Sequence, residues 1–140
     1  MKIIILVPIY NDWQSASKLL EEINSKVSGL ECQFSIIIVN DASSENHSIN
    51  VQNLGNLQSV KIINMKENRG HARCIASGLK HIYEKEEFDY AIPMDGDGED
   101  RPEEIKSFFE YLNYTSDKPI VGERVKRSEG PLFKICYKIH

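Results

Sequence analysis

Apolar residues in this chain fall into short continuous runs, separated by stretches with helical spacing. Ile3 to Val7 is one such run, rich in isoleucine, the pattern of a strand covered on both faces. Similar runs at Phe34–Val39, Val60–Asn64 and Phe88–Met94 predict three more strands, and Pro119–Gly122 a fifth. Between them the period changes. Trp13, Ala16, Leu19, Leu20, Ile23 and Val27 form one face of a helix that Asp12 caps and Gly29 ends. Ala72, Ile75, Ala76, Leu79, Ile82 and Tyr83 form a stripe on a second long helix. Pro102 is suited to the first position of a third, with Glu103 and Glu104 in its first turn. Ile105, Phe108, Phe109 and Leu112 form its buried face. A short helix is expected around Ser48 to Leu54, then a turn at Gly55-Asn56.

Strands alternating with helices imply an α/β fold, a Rossmann-like, mostly parallel sheet flanked by helices, in a single domain over residues 1–140. Ligands of such sheets bind outside the carboxyl ends of the strands. Four polar clusters follow strands directly: Pro8 to Asp12, Asn40 to Glu45, Asn68 to His71, and Asp95 to Asp100. Together they describe one site.

Composition narrows the classes without choosing among them. The 140 residues are 41% hydrophobic and 27% charged, an ordinary globular balance. A net charge of −4 argues against a phosphate-driven nucleic-acid binder. Cys32, Cys74 and Cys136 lack metal-ligand spacing and read as reduced thiols of a cytoplasmic protein. The first apolar run is too short for a signal peptide, and no stretch is long enough to span a membrane.

In the acidic cluster Asp95, Asp97, Glu99 and Asp100 lie close enough to repel unless a cation or partner neutralises them. Gly96 and Gly98 allow tight turns between ligands. Alternating oxygen ligands suit Mg²⁺ or Mn²⁺ bridging to a diphosphate. A solvated acidic loop capping the next helix is the plainer alternative, and Asp100 fits it. An EF-hand is excluded, because Lys106 occupies the position of its closing Glu. Asp41 suits a base or ribose, or a turn. Asn68 to His71 precede a helix whose free N–H groups suit phosphate, or merely a cap. Tyr10 offers a ring for stacking and Asp12 a carboxylate or a cap. No Gly-rich dinucleotide or Walker motif occurs.

In order, these segments resemble family 2 glycosyltransferases of the GT-A fold. They look most like polyprenol-phosphate sugar synthases, such as dolichol-phosphate mannose synthase. The matching stretches are Val7–Asp12, Val39–Ser43, Asn68–His71 with Gly78-Leu79, and Met94–Glu104. Val121–Arg127 resembles the family's G-x-R-x-x-R segment. The resemblance implies that Pro8, Tyr10, Asp12, Asp41, Asn68 and Gly70 meet the nucleotide sugar. Asp95 would face the sugar diphosphate, with Asp95 and Asp97 catalytic, and Asp97 and Glu99 would hold the metal. Arg124 and Arg127 would receive the acceptor phosphate or the diphosphate, as two arginines three apart can. Departures are mild: Asp12 stands for a usual Glu, Asn40 for Asp, Ala42 for Gly, Cys74 for Ala and Glu99 for Gln. Pro93 interrupts the fourth strand and is expected past its last ladder bond.

The implied reaction is inverting displacement at the anomeric carbon of a UDP- or GDP-linked sugar. The acceptor would be a polyprenyl phosphate at the cytoplasmic face of a membrane, which needs no general base. A hydroxyl acceptor, as in cell-surface polysaccharide synthesis, would need a base that is not evident here. Lys134–Ile139 reads as the start of a helix, so a C-terminal acceptor part is expected beyond this chain, without which it would be inactive. A non-catalytic nucleotide-binding remnant is the rival from another class. A nucleotidyltransferase would carry a basic Gly-rich loop after the first strand, and a phospho-acceptor domain an acidic pair there. Pro8 to Asp12 provides neither.

Overall fold

A computed structural model describes residues 1–46 and 49–112. The chain runs β1 (Lys2–Ile9), α1 (Trp13–Lys26), β2 (Gln33–Asn40), β3 (Ser59–Asn64), α2 (His71–Lys85), β4 (Tyr90–Pro93) and α3 (Glu104–Leu112). The four strands form one parallel sheet in the order β3-β2-β1-β4.

Side-chain alternation sorts each central strand between two layers. Ile3, Ile5, Val7 and Ile9 of β1 join Phe34, Ile36 and Ile38 of β2 against α1, and Ile105 of α3 packs there too. Ile4 and Leu6, with Ile37 and Val39, face Cys74 and Ile82 of α2. Helices on both faces explain why these runs are apolar at successive positions, with Ser35 the exception in β2. All six apolar residues predicted for the α1 face are buried.

Several expectations are corrected. The residues described between Ile49 and Leu57 form turns rather than a helix, with Leu54 N–H donating to Val51 O and Leu57 N–H to Leu54 O. Asn50 Oδ1 accepts from Gln52 N–H at 3.0 Å, a local bond that competes with helical pairing. Pro8 and Ile9, read as loop, complete β1 opposite Val39 and Asn40. On α2 the buried line is Cys74, Gly78 and Ile82, while Leu79 and Tyr83 are exposed. Gly78 sets this line, because a Cβ there would meet Leu6 Cδ1 at 2.5 Å and Val39 Cγ2 at 2.7 Å.

Pro93 is the last residue of β4, in register with Leu6. It is not past the last ladder bond: Met94 N–H still donates to Leu6 O at 2.9 Å. In a parallel ladder alternate N–H groups face one neighbour. Pro93 therefore stands where its missing N–H points away from β1. The third helix begins at Glu104, after a turn in which Glu104 N–H donates to Arg101 O, so Pro102 precedes it. The predicted fifth strand, Arg124, Arg127, Cys136 and Lys134–Ile139 lie outside the described residues.

Candidate functional site

From β1 the chain steps outward to β2 and β3, then returns to place β4 on the other side of β1. The carboxyl ends of β1 and β4 flank this reversal, the position where open α/β sheets bind ligands. Gly96 brings the acidic loop against β1 there. A Cβ on it would lie 3.2 Å from Ile9 Cγ2 and 3.3 Å from Pro8 O, so a larger residue would push the loop away. Gly98 is needed for another reason, its φ of +84°.

The loop after β1 is tied to the loop after β2 through Asn11. Its backbone N–H donates to Ser43 Oγ at 2.8 Å, and its Oδ1 accepts from the backbone N–H groups of Ser44 and Glu45. Asn11 has φ +53°, a left-handed conformation that asparagine tolerates. Beside it Tyr10 is 52% exposed. Asp12 caps α1 by accepting from Ser15 N–H at 3.2 Å.

Asp41 is buried, and its two oxygens accept from Arg69 N–H (2.9 Å) and Gly70 N–H (2.8 Å). The carboxylate thus fastens, from a different strand, the backbone just ahead of α2. Gly70 has φ +85° and ψ 162°, essentially a glycine-only conformation. Asn68 is exposed beside it, and the guanidinium of Arg69 is turned to Glu67 at 2.6 Å. Behind Asp41, Asn40 donates to Asn64 Oδ1 and accepts from Ser43 N–H, bracing the ends of β2 and β3. Cys74 lies beneath; burial pushes its thiol up to about 11, so it is neutral at physiological pH.

His71, the first residue of α2, reaches the acidic loop, with Nε2 3.1 Å from Asp95 Oδ1. Asp95 N–H donates to Asp100 Oδ2 at 2.8 Å, so Asp100 closes the acidic loop. Asp97 and Glu99 are exposed at its tip, where Asp97 Oδ1 accepts from Glu99 N–H at 2.9 Å. Among the described residues no three His, Cys, Asp or Glu side chains converge into a ready-made metal-ligand set.

All the predicted site residues from Pro8 to Glu99 thus fall on loops and strand ends that contact one another at one sheet edge. Sequence reasoning placed Asn11 inside the Pro8 to Asp12 cluster without giving it a task, and missed the role of Asn64. Asparagine's tolerance of left-handed backbone was the available signal for Asn11. A concavity among the described residues lies elsewhere. It is an open groove of about 780 Å³ at the amino edge, lined by Lys2, Cys32, Glu87 and Asp89 among others. There Lys2 is already paired with Glu87, and its backbone N–H with Asp89. The carboxyl edge is where chemistry-bearing groups gather.

The sequence matches Glycosyl transferase family 2 over residues 4–135. It is 26% identical over 133 residues to the undecaprenyl-phosphate 4-deoxy-4-formamido-L-arabinose transferase of Proteus mirabilis, covering 95% of this chain and 40% of that protein. It is 27% identical over 126 residues to the dolichol-phosphate mannosyltransferase of Pyrococcus furiosus, covering 90% and 34%. Against the crystal structure of S. aureus TarS residues 1–349 in complex with UDP, the fold superposes with a TM-score of 0.63 at 20% identity, covering 91% of this chain and 39% of that one. The chain therefore spans less than half the length of each of these proteins. With a match across nearly all its residues and a parallel sheet of this topology, the chain belongs to glycosyltransferase family 2 and has a GT-A-like fold.

Proposed function

We propose that this chain is the donor-binding part of an enzyme that transfers a sugar, with inversion, from a UDP- or GDP-linked donor to a polyprenyl phosphate at a membrane surface. The observation that carries the reading is the assembly, at the β1/β4 reversal, of an exposed aromatic ring, a buried carboxylate at a helix start and an exposed acidic loop. Tyr10 would stack on the base, and Pro8 and Asp12 would line its edge. Asp41 would face the nucleoside, Asn68 and Gly70 the nucleotide sugar at the start of α2, and Asp95 the sugar diphosphate. The two sequence relatives, named as an undecaprenyl-phosphate and a dolichol-phosphate sugar transferase, support the acceptor class.

Asp97 and Glu99 fit Mg²⁺ or Mn²⁺ by donor chemistry. Such ions are commonly held by one or two carboxylates plus substrate phosphates, without an all-protein cage. Exposed carboxylates at the loop tip suit that arrangement. When bound, the ion would supply charge neutralisation for the leaving diphosphate. The chain's own groups would orient the donor, so that positioning and preorganised charge lower the barrier. A phosphate acceptor is already anionic and needs no general base. Arg124 and Arg127 are proposed to hold that phosphate or the diphosphate.

The test is transfer by the full-length protein from a panel of UDP-, GDP- and CDP-linked sugars to undecaprenyl phosphate, with and without Mn²⁺. Lipid-linked sugar should form from one donor class and fall at least about 100-fold in Asp97→Ala. A wild type that transfers none of these sugars to the lipid would contradict the proposal.

A further inference from the structure

We infer that His71 is a positioning residue of the donor site: its imidazole orients the Asp95 carboxylate and couples the start of α2 to the acidic loop. That Asp95 faces the donor is part of the functional reading above, on which this inference rests.

Both ends of the contact are anchored by backbone. His71 follows Gly70, whose N–H is held by the buried Asp41 carboxylate at 2.8 Å, and Cys74 N–H donates to Gly70 O as α2 begins. Asp95 follows Met94, whose N–H is bonded to Leu6 O of the central strand, and its own N–H is held by Asp100. With both backbones set, the imidazole meets the Asp95 side chain. Nε2 lies 3.1 Å from Oδ1, within ion-pair distance. One oxygen thus lies against the imidazole, a contact that constrains where the carboxylate points.

The pair is suited to function more than to folding. The His71 side chain is 58% exposed and that of Asp95 34%, so the contact sits at the open sheet edge within reach of a ligand. Ion pairs of this exposure add little to stability. The imidazole also meets the loop where Asp95, Asp97, Glu99 and Asp100 crowd together. Arg69, two residues earlier, is turned to Glu67 instead. The continuous path Asp41, Gly70, His71, Asp95 thus ties the proposed nucleoside end of the pocket to its diphosphate end.

His71→Ala and His71→Gln in the full-length protein test this, using whichever donor of the panel above the wild type turns over fastest. His71→Ala should lower kcat about tenfold or more, since small misplacements of reacting groups are costly. Its Kd for UDP or GDP alone should stay within about twofold and its melting temperature should not move. His71→Gln, which keeps an N–H donor of similar reach, should recover most of the rate. An unimpaired His71→Ala enzyme overturns the inference alone, as does equal loss in both variants. Absence of transfer by the wild type overturns the functional reading and this inference with it.

Discussion

Ala42 holds φ +57° in the loop after β2, a conformation that costs a residue with a Cβ about 1–2 kcal/mol. It stands where the family it resembles usually has glycine, the residue that this conformation suits. Ala42→Gly should therefore stabilise the protein by about 0.5–1 kcal/mol after the entropic cost of glycine, read from the urea midpoint. A destabilised variant would contradict the strain. One residue earlier, Asp41 bonds two backbone N–H groups from a buried position. Asp41→Ala leaves both donors without that acceptor and should cost about 1–3 kcal/mol in the same measurement. A loss below about 0.5 kcal/mol would show that water replaces the carboxylate. From sequence alone, capping and nucleoside binding were equally open for Asp41, because the partner is 28 residues away in the chain. His71 was legible only as a polar residue, for the same reason: its partner lies on another loop.

At the scale of elements, apolar periodicity located every helix and strand among the described residues, apart from the helix expected near Leu54. The α1 stripe was fully legible because its buried positions are all apolar. The α2 stripe was not. Its line of contact runs through Cys74 and Gly78, and a glycine carries no hydrophobic signal although it allows the closest approach. Gly78→Ala should cost about 1–3 kcal/mol, since the added methyl meets Leu6 and Val39 on the sheet. A neutral outcome in thermal and urea unfolding would mean that α2 shifts freely. The far end of α2 is tied to β3 by Glu86, which accepts from Lys61 Nζ at 2.7 and 2.8 Å. Hydrogen bonding to Lys61 holds the Glu86 carboxyl below its ordinary value of 4.5. A depressed carboxyl stabilises the fold above the ordinary value, and that contribution is lost as pH falls through the lowered one. Glu86→Gln should thus cost up to about 1 kcal/mol at pH 7, and the difference from wild type should shrink below pH 4.5. A difference independent of pH would contradict the pairing.

For the whole molecule, the order β3-β2-β1-β4 converts local signals into a site. Each cluster alone reads as well as a turn or a cap; Asp12 is indeed a cap, and Asp41 holds the turn that leads into α2. What sequence order suggested and the parallel sheet makes concrete is that all of them share one edge, at the reversal beside β1. Metal binding stays a proposal resting on donor chemistry at Asp97 and Glu99. The most direct test is calorimetric titration of the full-length protein with UDP and GDP, with and without Mn²⁺, in wild type, Tyr10→Ala and Asp97→Ala. One nucleotide should bind, more tightly with Mn²⁺. Tyr10→Ala should weaken it about tenfold or more, in line with the worth of base stacking, in either condition. Asp97→Ala should abolish the Mn²⁺ enhancement while sparing metal-free binding. Binding of neither nucleotide, or binding indifferent to both substitutions, would contradict a nucleotide-sugar site at this edge.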